Sequence, residues 1–334
     1  GAMKGVQHAY GAVQGHDAAA LIIDGQLEDF IVDTDAPRPG TIYRAKTIRP
    51  AKGQGGMFLE TPDGSAFMRN AKGVATGKHL LVQVTGYAAP GKAIPVTDRI
   101  LFKSRYSIVT PGKPGINIAR SIKDEEIRVA LRETADVFAN ALNGCGLIIR
   151  SAAAGADLEW VEGDIEACLD GALVALGDTD TAVEKLIEGP DVKDFAYREW
   201  PEGPSGGDID ECFARAIQPE LSLPGGGRIT IEATRALVAV DVDTGGDNTP
   251  AAGLKANIAA ARNLSRLLKI KGLGGQVVVD FAPIPKRDRR TLENTLQAAM
   301  RGDDVETALV GWTTMGLFEL NRKRGRLPLH EVIR

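Results

Sequence analysis

"RALVAVDVDTGG", residues 235–246, decides how the C-terminal third folds. Ala236, Leu237, Val238, Ala239 and Val240 read as a buried strand, and Asp241 and Asp243 follow at once. An Asp after a strand often does no more than start a turn. That reading and an active-site reading both stand at this point. Helix 252–269 comes next, with Leu254, Ile258, Ala261, Leu264 and Leu267 on one face, then "KGLGG" (271–275) and a second strand, "QVVVD" (276–280), ending at Asp280. Two parallel strands joined by such a crossover run in the same direction and are commonly neighbours, so their carboxyl ends share one edge of the sheet. Ligand sites in open α/β sheets gather at that edge.

Acids on adjacent strand ends suit a hard cation with oxygen ligands. Mg²⁺ takes one or two carboxylates and keeps several waters. The basic stretch Lys286, Arg287, Arg289 and Arg290 begins six residues after Asp280, in the loop and first turn of helix 289–301. Cations and backbone N–H groups there can hold phosphate oxygens. Acids for metal beside bases for phosphate is the arrangement of a phosphodiester-cleaving site. Strands 228–233 and 306–311 complete a mixed α/β half.

The chain's 334 residues allow more than one domain, and 43% hydrophobic with 25% charged residues is ordinary globular composition. Gly1-Ala2-Met3 reads as a remnant of tag removal, with Met3 the natural start. No apolar run is long enough to cross a bilayer, so no membrane partner is expected. Cys145, Cys168 and Cys212 are dispersed, which fits a reducing cytoplasmic setting and argues against a cysteine zinc site; four scattered histidines offer no metal cluster either. The net charge of −4 discourages nucleic-acid binding only if its distribution is ignored. Residues 155–194 are acidic, while "KRDRR" (286–290) and "NRKRGR" (321–326) are basic. A charge run is as often a solvated face as a binding one.

The first hundred residues read as short strands ("AALIID" 19–24, "LEDFIVD" 27–33, "GTIYRAKTIRP" 40–50, "GGMFLETP" 55–62, "SAFMR" 65–69, "HLLVQVTGY" 79–87). Residues 41–104 fit a five-strand OB-type unit in which Phe58 and Phe67 fall on successive strands and Lys92 lies in the following loop. Aromatic rings beside a cation make a stacking surface for unpaired bases, but from the residues alone the reading of both rings as core is favoured, since nine Phe must fill several cores. Asp124 caps a predicted helix ending near Gly144; strand 147–149 then delivers Arg150 and Ser151, which can grip a phosphate or leave Arg150 to pair with an acid. Helices follow at 161–176, 180–188 and 209–217, and "PEGPSGGD" (201–208) reads as a linker.

The stretches "LPGGGRITIEATRALVAVDVDTG" (223–245), "NIAAARNLSRLLKIKGLGGQVVVDFAPI" (257–284), "RDRRTLENTLQAAMRGD" (287–303) and "GLFELNRKR" (316–324) resemble, in order and spacing, the ribonuclease E/G family of bacterial endoribonucleases. The resemblance implies a multidomain α/β chain with a reduced ribonuclease-H-like element (1–40, with a linker or remnant at 196–222), an OB-fold RNA-binding domain (41–104), a 5′-sensor-like region (105–195) and a deoxyribonuclease-I-like catalytic subdomain (223–334).

It further implies Mg²⁺, with Mn²⁺ the alternative, held by Asp241 and Asp280. Asp243 stands where the family usually has Asn and would orient a water. Phe58, Phe67 and Lys92 match RNA-contacting positions, and Arg287 and Arg290 would contact phosphate. Arg150 and Ser151 resemble an Arg-Thr pair that recognises a 5′-monophosphate, while the family's additional sensor arginine is replaced at Thr314 or its neighbour. The chain stops at Arg334, ahead of where a C-P-x-C zinc link would begin, so no zinc and no zinc-linked dimer or tetramer is expected. The expected activity is metal-dependent cleavage of single-stranded RNA by an activated water, leaving 5′-phosphate products, in RNA processing or decay. Its rivals are an RNA-binding relative with weak or no cleavage and a phosphohydrolase of small nucleotides.

Overall fold

The computed structural model describes residues 4–333; the Gly1-Ala2-Met3 start and the final Arg334 lie outside them. Two compact units are present, one built from 1–35 with 203–334 and the other from 36–202. The second crossing between them falls inside "PEGPSGGD", a run with too few apolar side chains to carry a core.

The first unit begins with an antiparallel meander of β1 (Val6–Val13), β2 (His16–Ile23) and β3 (Gln26–Val32). Gln14-Gly15 and Asp24-Gly25 all have positive φ, the two-residue turn whose twist matches that of paired strands. β1 was not expected from sequence, because Gly11 and polar residues break its alternation; full-length pairing with β2 makes it a strand.

In the second unit, β4 (Ile42–Pro50), β5 (Met57–Thr61), β6 (Gly64–Met68), β7 (His79–Val84) and β8 (Ile94–Thr97) pair in the order β4-β5-β6-β8-β7, and β7 returns to β4. This is a closed five-strand barrel, consistent with an OB-fold, with β6 and β8 parallel. Alternation points Tyr43, Met57, Leu59, Met68, Val82 and Val96 inward. β9 (Phe102–Lys103), β10 (Ser107–Thr110), β11 (Gly115–Ile118) and β12 (Gly146–Ile149) form a sheet that packs with α1 (Glu125–Asp136) and α2 (Leu158–Leu176).

Asp124 caps α1, its Oδ1 accepting from Glu126 N at 2.9 Å, but the helix stops well short of Gly144. A 3₁₀ turn at Ala139–Ala141 brings Leu142 inside and leaves Val137 exposed. The helix expected at 180–188 is instead β13 (Glu184–Ile187), a strand added to β4 outside the barrel. The buried Arg44 explains it: its guanidinium binds Asp178, Glu184 Oε2 (3.2 Å) and Ala182 O (2.7 Å), which holds that segment extended. α3 (Val192–Glu199) closes the unit.

The first unit resumes with α4 (Ile209–Ala216), β14 (Glu220–Ser222), β15 (Arg228–Ala233), β16 (Val238–Asp243), α5 (Pro250–Lys271), β17 (Gly275–Asp280), α6 (Arg289–Arg301), β18 (Thr307–Trp312), β19 (Phe318–Arg322) and α7 (Leu329–Val332). The sheet order is β14-β15-β16-β17-β19-β18, with β16 and β17 parallel. Val238, Val240, Val242, Val277 and Val279 share one buried cluster with Ala260, Leu264 and Leu268 of α5. Each such large side chain contributes about 1.5–3 kcal/mol when fully buried. Thr249 caps α5 and Gly272 ends it in the left-handed conformation, where a Cβ would also strike Leu327 O at 2.1 Å.

The opening run is therefore not wholly buried. Ala236 and Ala239 are exposed, and the strand buries alternate residues only, because helices cover a single face of this sheet. The basic run 321–326 is also not a free basic surface: Arg322 pairs with buried Asp303 (2.7 Å), Arg324 with Glu331 (3.0 Å), and Arg326 with Asp29 (3.0 Å) and Asp304 (3.2 Å).

Candidate active site

Asp241 and Asp280 are register partners on the parallel strands β16 and β17. Paired strands lie about 4.8 Å apart. Both residues are exposed, on the face opposite α5. β16 runs on to Asp243 because β15 pairs with it to the end, Thr230 facing Asp241 and Arg228 facing Asp243. Asp241 thus sits within a strand and starts no turn. Asp243 does both: its Oδ1 accepts from Gly245 N at 2.9 Å, while its position keeps it on the same face as Asp241.

Burial, then the Asp280 and Asp243 carboxylates, push the Asp241 carboxyl above the usual range. Among the described residues neither Asp241 nor Asp280 is ion-paired. Arg228 is drawn upward by its bond to Glu220 and by Asp243, so a cation balances the additional acid at this rim. Among the described residues no group of three or more His, Cys, Asp or Glu is disposed to enclose a metal ion. The donor set is then a pair of carboxylates, which suits a cation that keeps most of its waters.

The backbone beyond Asp280 is held by a residue that sequence reasoning missed. Asn257, buried in α5, donates Nδ2–H to Ala282 O (2.8 Å), and its Oδ1 accepts from Ala282 N (2.9 Å). An Asn at the spacing of the Leu254–Ala261 stripe was the available signal. Arg287 and Arg290 are exposed and form no ion pair among the described residues. They flank the start of α6, into which a 3₁₀ turn at Lys286–Asp288 leads directly, the Arg289 N–H donating to Lys286 O. Arg289 is spent differently, 4.4 Å over the Trp312 ring.

On the barrel, Phe58 and Phe67 face each other across β5 and β6, with ring centroids 5.3 Å apart. Both are half-buried and outward-facing, while Met57, Leu59, Ala66 and Met68 fill the interior, so neither is barrel core. Lys92 is exposed just ahead of β8, whose Pro95 pairs with Phe67. Arg49, also missed from sequence, stacks 4.6 Å over Phe58; its place opposite Phe58 across β4–β5 was the signal.

Arg150 follows β12, and its guanidinium forks onto Glu199, Nη1 to Oε1 at 3.2 Å and Nη2 to Oε2 at 2.5 Å, with Ser104 O accepting at 2.7 Å. Ser151 is exposed at the start of a 3₁₀ turn. The structure brings Arg150 to Glu199 at the end of α3, which is the alternative pairing weighed above.

A closed five-strand barrel consistent with an OB-fold in one unit and a mixed six-strand sheet in the other describe a multidomain α/β protein. The Ribonuclease E/G family model matches residues 102–192 and 204–325, and the chain belongs to that family. It is similar to Ribonuclease E of Nostoc sp., at 26% identity over 95% of this chain and 56% of the relative. Ribonuclease E of Synechocystis sp. is 25% identical, over 95% and 57%. Ribonuclease G of Escherichia coli is 24% identical, over 94% and 79%. The chain spans little more than half the length of the two Ribonuclease E relatives. Among the described residues no helix is long and apolar enough to cross a membrane.

Proposed function

We propose that this chain is a divalent-metal-dependent endoribonuclease acting on single-stranded RNA. The observation that carries the reading is the in-register placement of Asp241 and Asp280 on neighbouring parallel strands, with no cation of the protein's own paired to either among the described residues. These carboxylates fit Mg²⁺ or Mn²⁺, which when bound offsets phosphoryl charge and acidifies water. Asp243, one oxygen taken by Gly245 N, keeps a second to orient a water, and Arg228 restrains the repulsion that its charge adds. Arg287 and Arg290, both exposed beside the start of α6, hold phosphate oxygens. Asn257 fixes the backbone that follows Asp280.

On the barrel, Phe58 and Phe67 stack bases and Lys92 meets the backbone. A 5′-monophosphate at Arg150 and Ser151 must displace Glu199 first. Products carry a 5′-phosphate, as in the family resemblance, and the sensor-like, deoxyribonuclease-I-like and reduced ribonuclease-H-like regions are proposed on that resemblance, with β14 added to the catalytic sheet.

The test compares wild type with Asp280→Asn on labelled single-stranded RNA, with and without Mg²⁺. Cleavage should need both the ion and the aspartate; equal cleavage by the two proteins removes the proposal. A second reading, an RNA binder without strong cleavage, is favoured by the lack of a third carboxylate closing on the pair among the described residues. Unchanged RNA affinity with no cut in either protein would establish it.

A further inference from the structure

The first unit contains a cleft of about 450 Å³ that the nuclease reading leaves unused. Its lining comes from the β2–β3 turn, residues 215–224 and α5. We infer that it binds a small phosphate monoester carrying an apolar body. The volume falls within the range of small-molecule sites. Leu27, Leu221, Leu223, Ile229, Leu267 and Ile270 make most of the wall apolar.

Two guanidiniums serve the head group. Arg215 donates Nη1–H to Gly25 O (3.1 Å) and Arg266 donates Nη1–H to Leu27 O (2.9 Å). Those carbonyls are two residues apart, so at most about 7 Å of backbone separates them. Arg266 is the less usual of the pair. Its Nη2 donates to Asn263 Oδ1 (3.1 Å), Nη2 and Nε donate to the Gln26 amide oxygen (2.9 and 3.3 Å), and among the described residues no carboxylate lies within ion-pair distance of it. Burial pulls its pKa down, only partly offset by Glu28 at longer range.

A desolvated cation with neutral partners gains from an anion that brings charge without competing for its place. Arg215 keeps an exposed pair with Glu211 (2.9 Å) and supplies the rim. Asp24 also lines the cleft, but its Oδ1 is engaged by Gly5 N (2.7 Å). The N–H donors that these two guanidiniums have left come from different elements, so the three oxygens of a phosphate can meet both where the two oxygens of a carboxylate meet one.

Calorimetric titration of the full chain with phenyl phosphate tests the inference, with inorganic phosphate and benzyl alcohol as controls. Phenyl phosphate should bind at least roughly tenfold more tightly than either control, and Arg215→Gln should weaken it by roughly tenfold with an unchanged thermal midpoint. Leu221→Trp, which fills the cleft from its rim, should abolish binding, while Arg290→Gln should retain it. Inorganic phosphate binding as tightly as phenyl phosphate, or binding untouched by both Arg215→Gln and Leu221→Trp, overturns the site. RNA cleavage by Arg215→Gln should match wild type, so this inference and the nuclease proposal fail separately.

Discussion

Asp241, within β16, and Arg150, just after β12, are both charged residues near the carboxyl ends of sheet strands, and their neighbours treat them in opposite ways. Asp241 faces Asp280 across the strand gap with Asp243 two residues along, and its carboxyl is pushed up by burial and by those like charges. Arg150 meets a carboxylate that takes both arms of its fork. A concentration of like charge on a rim costs free energy until a cation arrives. A bidentate pair is already satisfied and gives up its partner only to a better one. The first is a cluster of like charge, and the second is a satisfied pair.

That contrast breaks most visibly at Asp280. Asp280→Asn should lower cleavage by more than about a hundredfold, since even supporting residues around metal ligands cost 10–100-fold, while RNA affinity stays within a fewfold. Single-turnover assays and a binding titration on the same RNA read both. Asn257→Ala loosens the segment after Asp280 without touching either acid. Mg²⁺ should then be needed at roughly tenfold higher concentration, and Asn257→Asp should not restore it because its carboxylate cannot donate to Ala282 O.

At the closed pair the expectation reverses. Glu199→Gln should raise the preference for 5′-monophosphorylated over 5′-hydroxyl RNA by about fivefold, and Arg150→Gln should leave the wild-type ratio where it is. A wild-type preference that vanishes in Arg150→Gln would show that the phosphate already displaces Glu199.

The smallest effect tests the same logic on a buried cation. Lys271 donates to Ala216 O (2.9 Å) and to Gln218 O, and burial pulls its pKa from 10.5 to about 8. Between those values the unfolded chain binds the proton and the folded chain does not, so stability rises with pH from about 8 to about 10.5. The urea midpoint should climb across that window and stay flatter in Lys271→Met.

Much of this was legible before any coordinates. The β-α-β crossover from 238 to 280 follows from periodicity, the Gly-rich stretch after the helix and the direction of strands in such connections, all local or general properties. What escaped were consequences of pairing. Ala239 looked buried in a row of apolar residues, and only the helices on one side of the sheet leave it exposed. Residues 180–188 looked helical until buried Arg44 collected their acids and carbonyl. The basic run at 321–326 read equally as a solvated or a binding face, yet Asp29, Asp303, Asp304 and Glu331 neutralise its arginines.

The amino-acid order alone determined that two acids end up on one rim of one sheet, because strand direction and crossover hand depend on backbone chemistry common to all chains. It also determined that Phe58 and Phe67 lie on paired strands. Tertiary structure alone decided which way those rings point, that Glu199 reaches Arg150, and that Arg266 keeps its charge without a carboxylate beside it. Burial and ion pairing are set by residues tens to hundreds of positions apart, and no local pattern encodes which of them will meet.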